Sequence, residues 1–288
     1  MMIGRFCKWS GKAVLASLSA LLIVATAQAR PIDEVIESGF ITVAVYSDYA
    51  PYSWEEDGKL QGIDVDIAHL LADSLDTDIK FLVRGADENV DDDLRNNLWK
   101  GDLIHRKFAD IMMHVPYDRE LDGRNEFVAL MAPYYLEQMA VVVNSAQMPK
   151  LETFGRFLNK PIAVELDTVG DFFLSNAFRG QLQRSIRRGR TFGDVVDLYN
   201  SGEVPAAMGS RAQVEWIAHQ ATGIESIIAR PPMPGIVRES WPVGIAVKHD
   251  SRDLAYAVGD ALSDLIDSGE MVKIYERYGV TWFAPELK

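Results

Sequence analysis

Cysteine is nearly missing from this chain, with one residue, Cys7, among 288. A lone thiol forms no internal disulfide and no multi-thiolate metal site, so neither kind of staple can hold the fold. Histidine is also scarce. His69, His105, His114, His219 and His249 are scattered without ligand spacing, which argues against a metal site, and no cofactor is expected. Gly-rich phosphate loops, a nucleophile elbow and Cys/His pairings are absent as well, so no catalytic residue is assigned. Positive charge is in deficit: 29 Lys and Arg stand against 42 Asp and Glu, a formal charge of -13. Such a chain does not attract nucleic acid or anionic lipid through a general field. After residue 29 there is no further long hydrophobic run.

Before residue 30 the pattern differs. Arg5, Lys8 and Lys12 precede an apolar run from Ala13 to Ala25, and Ala27-Gln28-Ala29 supplies small residues at the spacing a signal peptidase accepts. The run is short of the ~20 residues that cross a bilayer. Residues 1–29 are therefore expected to be a cleaved export signal, and the protein is expected to be periplasmic and not inserted in the membrane. Removing three positive charges and no negative one takes the formal charge from -13 to -16. Cys7 leaves with the signal, so the mature chain has no thiol.

The remainder is organised around Gly62 to Leu75, GIDVDIAHLLADSL. Ile67, Leu70, Leu71 and Leu75 recur at the spacing of one buried helical stripe, and Asp64 and Asp66 stand at its entrance. There the two carboxylates read as helix-capping groups. Arg30 to Ser38 reads as a short helix ended by Gly39, Phe40 to Val45 as a strand, Tyr46 to Trp54 as an aromatic loop and Glu55 to Gly58 as a polar turn. Ile79 to Val83 and Ala109 to Val115 are further strands, Val90 to Trp99 a helix, Gly101 to Phe108 a polar loop and Pro116 to Asn125 turn-rich.

Met139 to Val143 starts a second cycle. Strands are predicted at 161–164, 206–208 and 243–247, and helices at 170–178, 192–201, 254–267 and 271–278. Arg184, Arg187, Arg188 and Arg190 form the one basic cluster, which reads as a solvated helix face or as a docking surface for an acidic partner. Two α/β lobes follow, 30–137 plus 244–288 and 138–243, joined near Tyr135 to Val141 and near Trp241 to Val247. A ligand cleft is expected between them, with hinge closure as the motion.

These features resemble the family 3 extracellular solute-binding proteins, periplasmic receptors that serve ABC transporters. Gly62-Ile63-Asp64-Val65-Asp66-Ile67 with Leu71-Ala72 and Leu75 fits that family's signature, and Tyr49 to Trp54, Ala132-Pro133-Tyr134-Tyr135 and Val243 to Val247 fit the loop and hinges around it. The resemblance covers nearly all of residues 31–283. It implies a periplasmic-binding-protein-like α/β fold, two lobes joined by two hinge strands, that captures a small polar or carboxylated solute.

The same resemblance implies the site. Tyr49 would stack on the ligand, with Tyr46 beside it. His114 stands where the family's threonine run begins, and Arg119, or Arg124, would hold a carboxylate. Thr168 matches a helix-start turn, and Ser210 replaces the aspartate that usually pairs with an α-ammonium group, which argues against an ordinary L-amino acid. Beyond an ABC permease, His114-Val115-Pro116 is similar to accessory proteins of quinoprotein alcohol dehydrogenases, so a dehydrogenase or its cytochrome is an alternative partner. A periplasmic dehydratase on this fold would need a poised acid, for which Glu165 and Asp167 are the candidates.

Overall fold

The computed structural model describes residues 30–101, 107–236 and 238–285. The expected signal, residues 1–29, and residues 102–106 of the expected polar loop lie outside them.

Helix α1 (Ile32–Ser38) ends at Gly39, whose φ of 72° is the left-handed cap the sequence suggested. Strand β1 (Phe40–Tyr46) follows. The stretch read as a loop and turn is instead a small antiparallel sheet of β2 (Asp48–Tyr49), β3 (Ser53–Glu56) and β4 (Lys59–Gln61), in that order. Its hairpin turns at Asp57 and Gly58, both at positive φ. Helix α2 (Ile63–Ser74), strand β5 (Asp78–Arg84), helix α3 (Val90–Leu94) with a π-helical extension over Arg95–Trp99, and strand β6 (Ile111–Pro116) come next.

The turn-rich segment after β6 holds a helix, α4 (Arg119–Arg124), capped by Asp118. Strand β7 then runs unbroken for 17 residues, Val128–Asn144. Beyond it lie β8 (Ile162–Glu165), α5 (Val169–Gly180), β9 (Ile186–Gly189), α6 (Phe192–Asn200), β10 (Ala206–Ser210), α7 (Arg211–Gln220) and β11 (Ser226–Ala229). The chain closes with β12 (Ser240–Lys248), α8 (Arg252–Asp267) and α9 (Glu270–Arg277). The arginine cluster is therefore not a helix face. Arg187 and Arg188 lie on β9, and Arg184 ends a short 3-10 turn before it.

The large sheet runs β5-β1-β6-β12-β7-β10-β8-β9, with β11 also paired to β7. Strand β7 belongs to both halves: Val128 to Gln138 pair with β12, whereas Met139 to Asn144 pair with β10 and β11. The fold is thus two α/β lobes on one continuous strand, with β12 returning alongside.

Each half buries both sheet faces, as period-2 alternation requires. Ile41, Val43 and Val45 join one core with α2, α8 and α9, while Ala44 turns to a second core with Leu94, Leu98 and Leu121. In the other half Val141, Val143, Ile162 and Val164 face one core, and Ala140, Val142 and Ala163 face another with Phe192 and Ile217. Fully burying each large apolar side chain contributes roughly 1.5–3 kcal/mol, so two double-sided cores hold two rigid halves.

Candidate functional site

A cavity of about 670 Å³ lies between the halves. The first lobe supplies most of its wall; Glu165, Thr168 and Val169, at the β8 to α5 turn, close it from the second, and Arg238, Trp241 and Val243 line it where the chain returns along β12. It sits at the carboxyl ends of parallel strands, where an α/β sheet leaves a crevice.

On the first wall, Tyr46 donates its hydroxyl to Asp93 Oδ2 at 2.8 Å, and Asp93 Oδ1 accepts the Asp87 N–H at 2.8 Å. Burial raises Asp93 above the ordinary carboxylate value. Tyr49 meets Tyr46 edge-on at 5.6 Å, Tyr52 at 5.1 Å and His114 at 5.2 Å between ring centroids. Trp241 and Tyr117 complete the aromatic lining.

Arg124 and Arg238 line the cavity, and both are occupied. Arg124 Nε donates to Asp91 at 2.8 Å, and Arg238 pairs with Asp118. Asp118 Oδ1 meanwhile accepts the Glu120 and Leu121 N–H groups at 2.9 Å, which fixes it as the α4 cap.

From the second lobe, Glu165 accepts the Phe192 backbone N–H, yet burial, helped by the negative charge of Asp48, pushes its pKa up to about 7. Thr168 caps α5: its hydroxyl donates to the Glu165 carbonyl at 2.8 Å and accepts from the Asp171 N–H at 3.3 Å.

Beneath this lining is a buried polar cluster. His114, 6% exposed, has φ 58°. Its Nδ1 lies 3.1 Å from Asp64 Oδ2, off the line a hydrogen bond needs, and its Nε2 lies 4.0 Å from Glu137 Oε2. Asp64 accepts from Tyr134 at 2.6 Å, Glu137 accepts from Tyr52, and Ser210 also reaches Glu137. Burial raises the Glu137 pKa and His114 opposes that rise. Two carboxylates taken out of water cost several kcal/mol each, which the Tyr134 and Tyr52 hydroxyls offset by donating to them.

The six residues singled out from sequence divide. Tyr46, Tyr49, His114 and Thr168 line the cavity; Arg119 and Ser210 do not. Arg119 is an exposed first residue of α4. Ser210 is buried as the α7 cap, accepting from the Gln213 N–H at 3.3 Å. Asp64 and Asp66 make no side-chain cap on α2. Asp64 joins the buried cluster, while Asp66 holds Tyr278 at 2.8 Å and Arg277 at 3.1 Å.

Asp48, Trp241 and Arg238 line the cavity without being among the residues the sequence points to, and Glu165 stands there only as a candidate acid. Glu165 had a readable signal, because it ends the apolar strand Ile162 to Val164 immediately before a helix start.

A two-lobed α/β chain with one polar and aromatic cleft at its waist defines a class, and the comparisons with known proteins agree. The family model described as bacterial extracellular solute-binding proteins, family 3, matches residues 41–99. The L-cystine-binding protein TcyJ of Escherichia coli K12 is 21% identical over 281 residues, covering 96% of this chain and 95% of that protein. Cyclohexadienyl dehydratase of Pseudomonas aeruginosa is 46% identical over 59 residues, 19% of this chain and 22% of that enzyme. An amino acid ABC transporter substrate-binding protein from Streptococcus pneumoniae, solved with L-arginine, superposes with a TM-score of 0.62 at 22% identity, covering 88% of this chain and 99% of that one. The likeness to family 3 extracellular solute-binding proteins thus covers residues 41–99 in sequence, and the fold as a whole is similar to that of the arginine-bound protein.

Proposed function

We propose that this chain is an exported, periplasmic solute-binding protein, which captures a small polar molecule in its cleft and presents it, unaltered, to an ABC permease. The observation that carries this reading is the cavity of about 670 Å³ lined from both lobes. Such a volume suits a small metabolite. The nearly full-length match to a cystine-binding protein and the fold of an arginine-bound transporter component support transport. The proposed moving bodies are 30–137 plus 244–288 and 138–243, turning about the place where β7 changes partners. Tyr46, Tyr49, His114 and Thr168 are the proposed contacts, joined by Glu165 and Trp241.

A ligand that binds only the folded protein raises its melting temperature, by about 2.7 kcal/mol of stabilisation at one hundred times Kd. A thermal-shift screen over amino acids, amines, organic acids and alcohol-derived acids should give a saturable rise with one chemical class. A flat response across all classes contradicts the reading.

One observation favours a second reading. Glu165 faces the cleft with a pKa near 7, as a general acid requires, and a dehydratase is among the relatives. Incubation with a cyclohexadienyl acid decides it: turnover lost in E165Q supports an enzyme, and no turnover leaves binding alone. The His114-Val115-Pro116 motif that suggested a dehydrogenase accessory has His114 and Val115 buried, so these two side chains offer a partner no surface.

A further inference from the structure

We infer that the cleft selects an organic cation carrying no carboxylate, a primary amine or guanidine, rather than an amino acid. This rests on the solute-binding reading and narrows its ligand.

The charges lining the cleft do not balance. Asp48, Asp87, Asp93, Asp118 and Glu165 face it, against only Arg124 and Arg238. Both arginines are already paired, to Asp91 and to Asp118. Among the described residues lining the cleft, each guanidinium is thus already engaged by a carboxylate of the protein, in competition with any ligand carboxylate it would grip by two parallel hydrogen bonds. Arg119, the residue expected to do so, stands outside the lining.

The anionic side is the reverse. Among the described residues no cation pairs with Asp48 or with Glu165, which line the cavity from opposite lobes, and the negative charge of Asp48 adds to burial in raising the Glu165 pKa. Two like charges facing across a hinge resist its closure, and a cation placed between them converts that repulsion into attraction on both sides. Tyr46, Tyr49, Tyr117 and Trp241 also line the cavity, and aromatic rings of this kind favour positive charge over their faces. His114 also lines the cavity, but its two ring nitrogens are buried and face Asp64 and Glu137 beneath the lining, so it brings no anion-binding donor to the cleft. Among the described residues no group of three or more His, Cys, Asp or Glu is placed to hold a metal ion.

The groups facing Glu165 are Asp48 and Tyr49 on β2 and Asp194 on α6, so nothing basic offsets its titration. Ionising Glu165 between pH 6 and pH 8 takes its charged fraction from roughly one tenth to nine tenths. An amine keeps its own charge over that range.

The test compares pairs that differ only by the carboxylate: agmatine with arginine, and cadaverine with lysine. Calorimetric titration of the purified protein should show the amine binding about tenfold or more tightly than its parent. Its affinity should rise roughly tenfold from pH 6 to pH 8, and that slope should vanish in E165Q. D48N, at an exposed position, should weaken the amine even if E165Q folds poorly. An amino acid that binds as tightly as its amine, or a neutral or anionic compound as the best ligand, overturns this inference and leaves solute binding intact. Silence from every class overturns both.

Discussion

Glu165 is the residue on which the electrostatics of the cleft turns. An acid whose native pKa exceeds its unfolded value adds stability below the unfolded pKa, because the native state then holds the proton more firmly, and that contribution is lost as pH rises to the native pKa. For Glu165 the window runs from 4.5 to about 7. Replacing it with glutamine removes the cost of ionising there. The melting temperature of E165Q minus that of the parent protein should therefore grow by about 7–14 °C across this window and stay level above it. Differential scanning calorimetry in ligand-free buffer at steps of pH measures this. A difference that is flat with pH would mean that Glu165 is not held in its neutral form. Residue-scale chemistry of this kind is hard to read in a sequence. Glu165 is one of 42 acidic residues, and only the fold brings Asp48 near it from more than a hundred positions away.

Elements were easier to read than sites, and the reasons are local. Ile67, Leu71 and Leu75 announce α2, and Gly39 announces the end of α1, because a period and a cap are written in neighbouring residues. Helix α7 was missed although its start was spelled out. Ser210 and Gln213 form a reciprocal capping box, but buried Gln213 and Glu215 interrupt the apolar stripe. Ser210 reads as a ligand contact from sequence because it stands where the resemblance places an aspartate, whereas the structure uses it as the α7 cap. The arginine cluster has an element-scale explanation too: β9 is the last strand of the sheet, and exposed Arg187 and Arg188 blunt an edge that would otherwise recruit another chain. At the entrance to α2, Gly62 has φ 137°, and a Cβ there would collide with the Tyr52 carbonyl. Gly62→Ala should cost about 2–4 kcal/mol, combining backbone strain with overpacking, in urea unfolding at constant m. A cost below about 0.5 kcal/mol, the range of an ordinary surface change, would show that this entrance relaxes freely.

At the scale of the molecule, the halves are held together by a strand that serves both sheets and by a terminal segment that returns. Trp282 Nε1 donates to the Tyr134 carbonyl at 2.9 Å, and the Thr281 N–H reaches Glu215 on α7 at 2.7 Å. Trp54 of the first lobe packs against Trp216 of α7, with ring centroids 5.5 Å apart. The facing walls of the cleft carry Asp48 and Glu165, carboxylates that no cation among the described residues pairs with. Opening is thereby favoured when the cleft is empty, and closing when a cation fills it. Small-angle X-ray scattering during titration with the strongest thermal-shift ligand tests that directly. The expected result is a fall in radius of gyration that saturates at the calorimetric stoichiometry and is abolished in E165Q together with D48N. A radius of gyration unchanged at full occupancy would contradict capture between closing lobes.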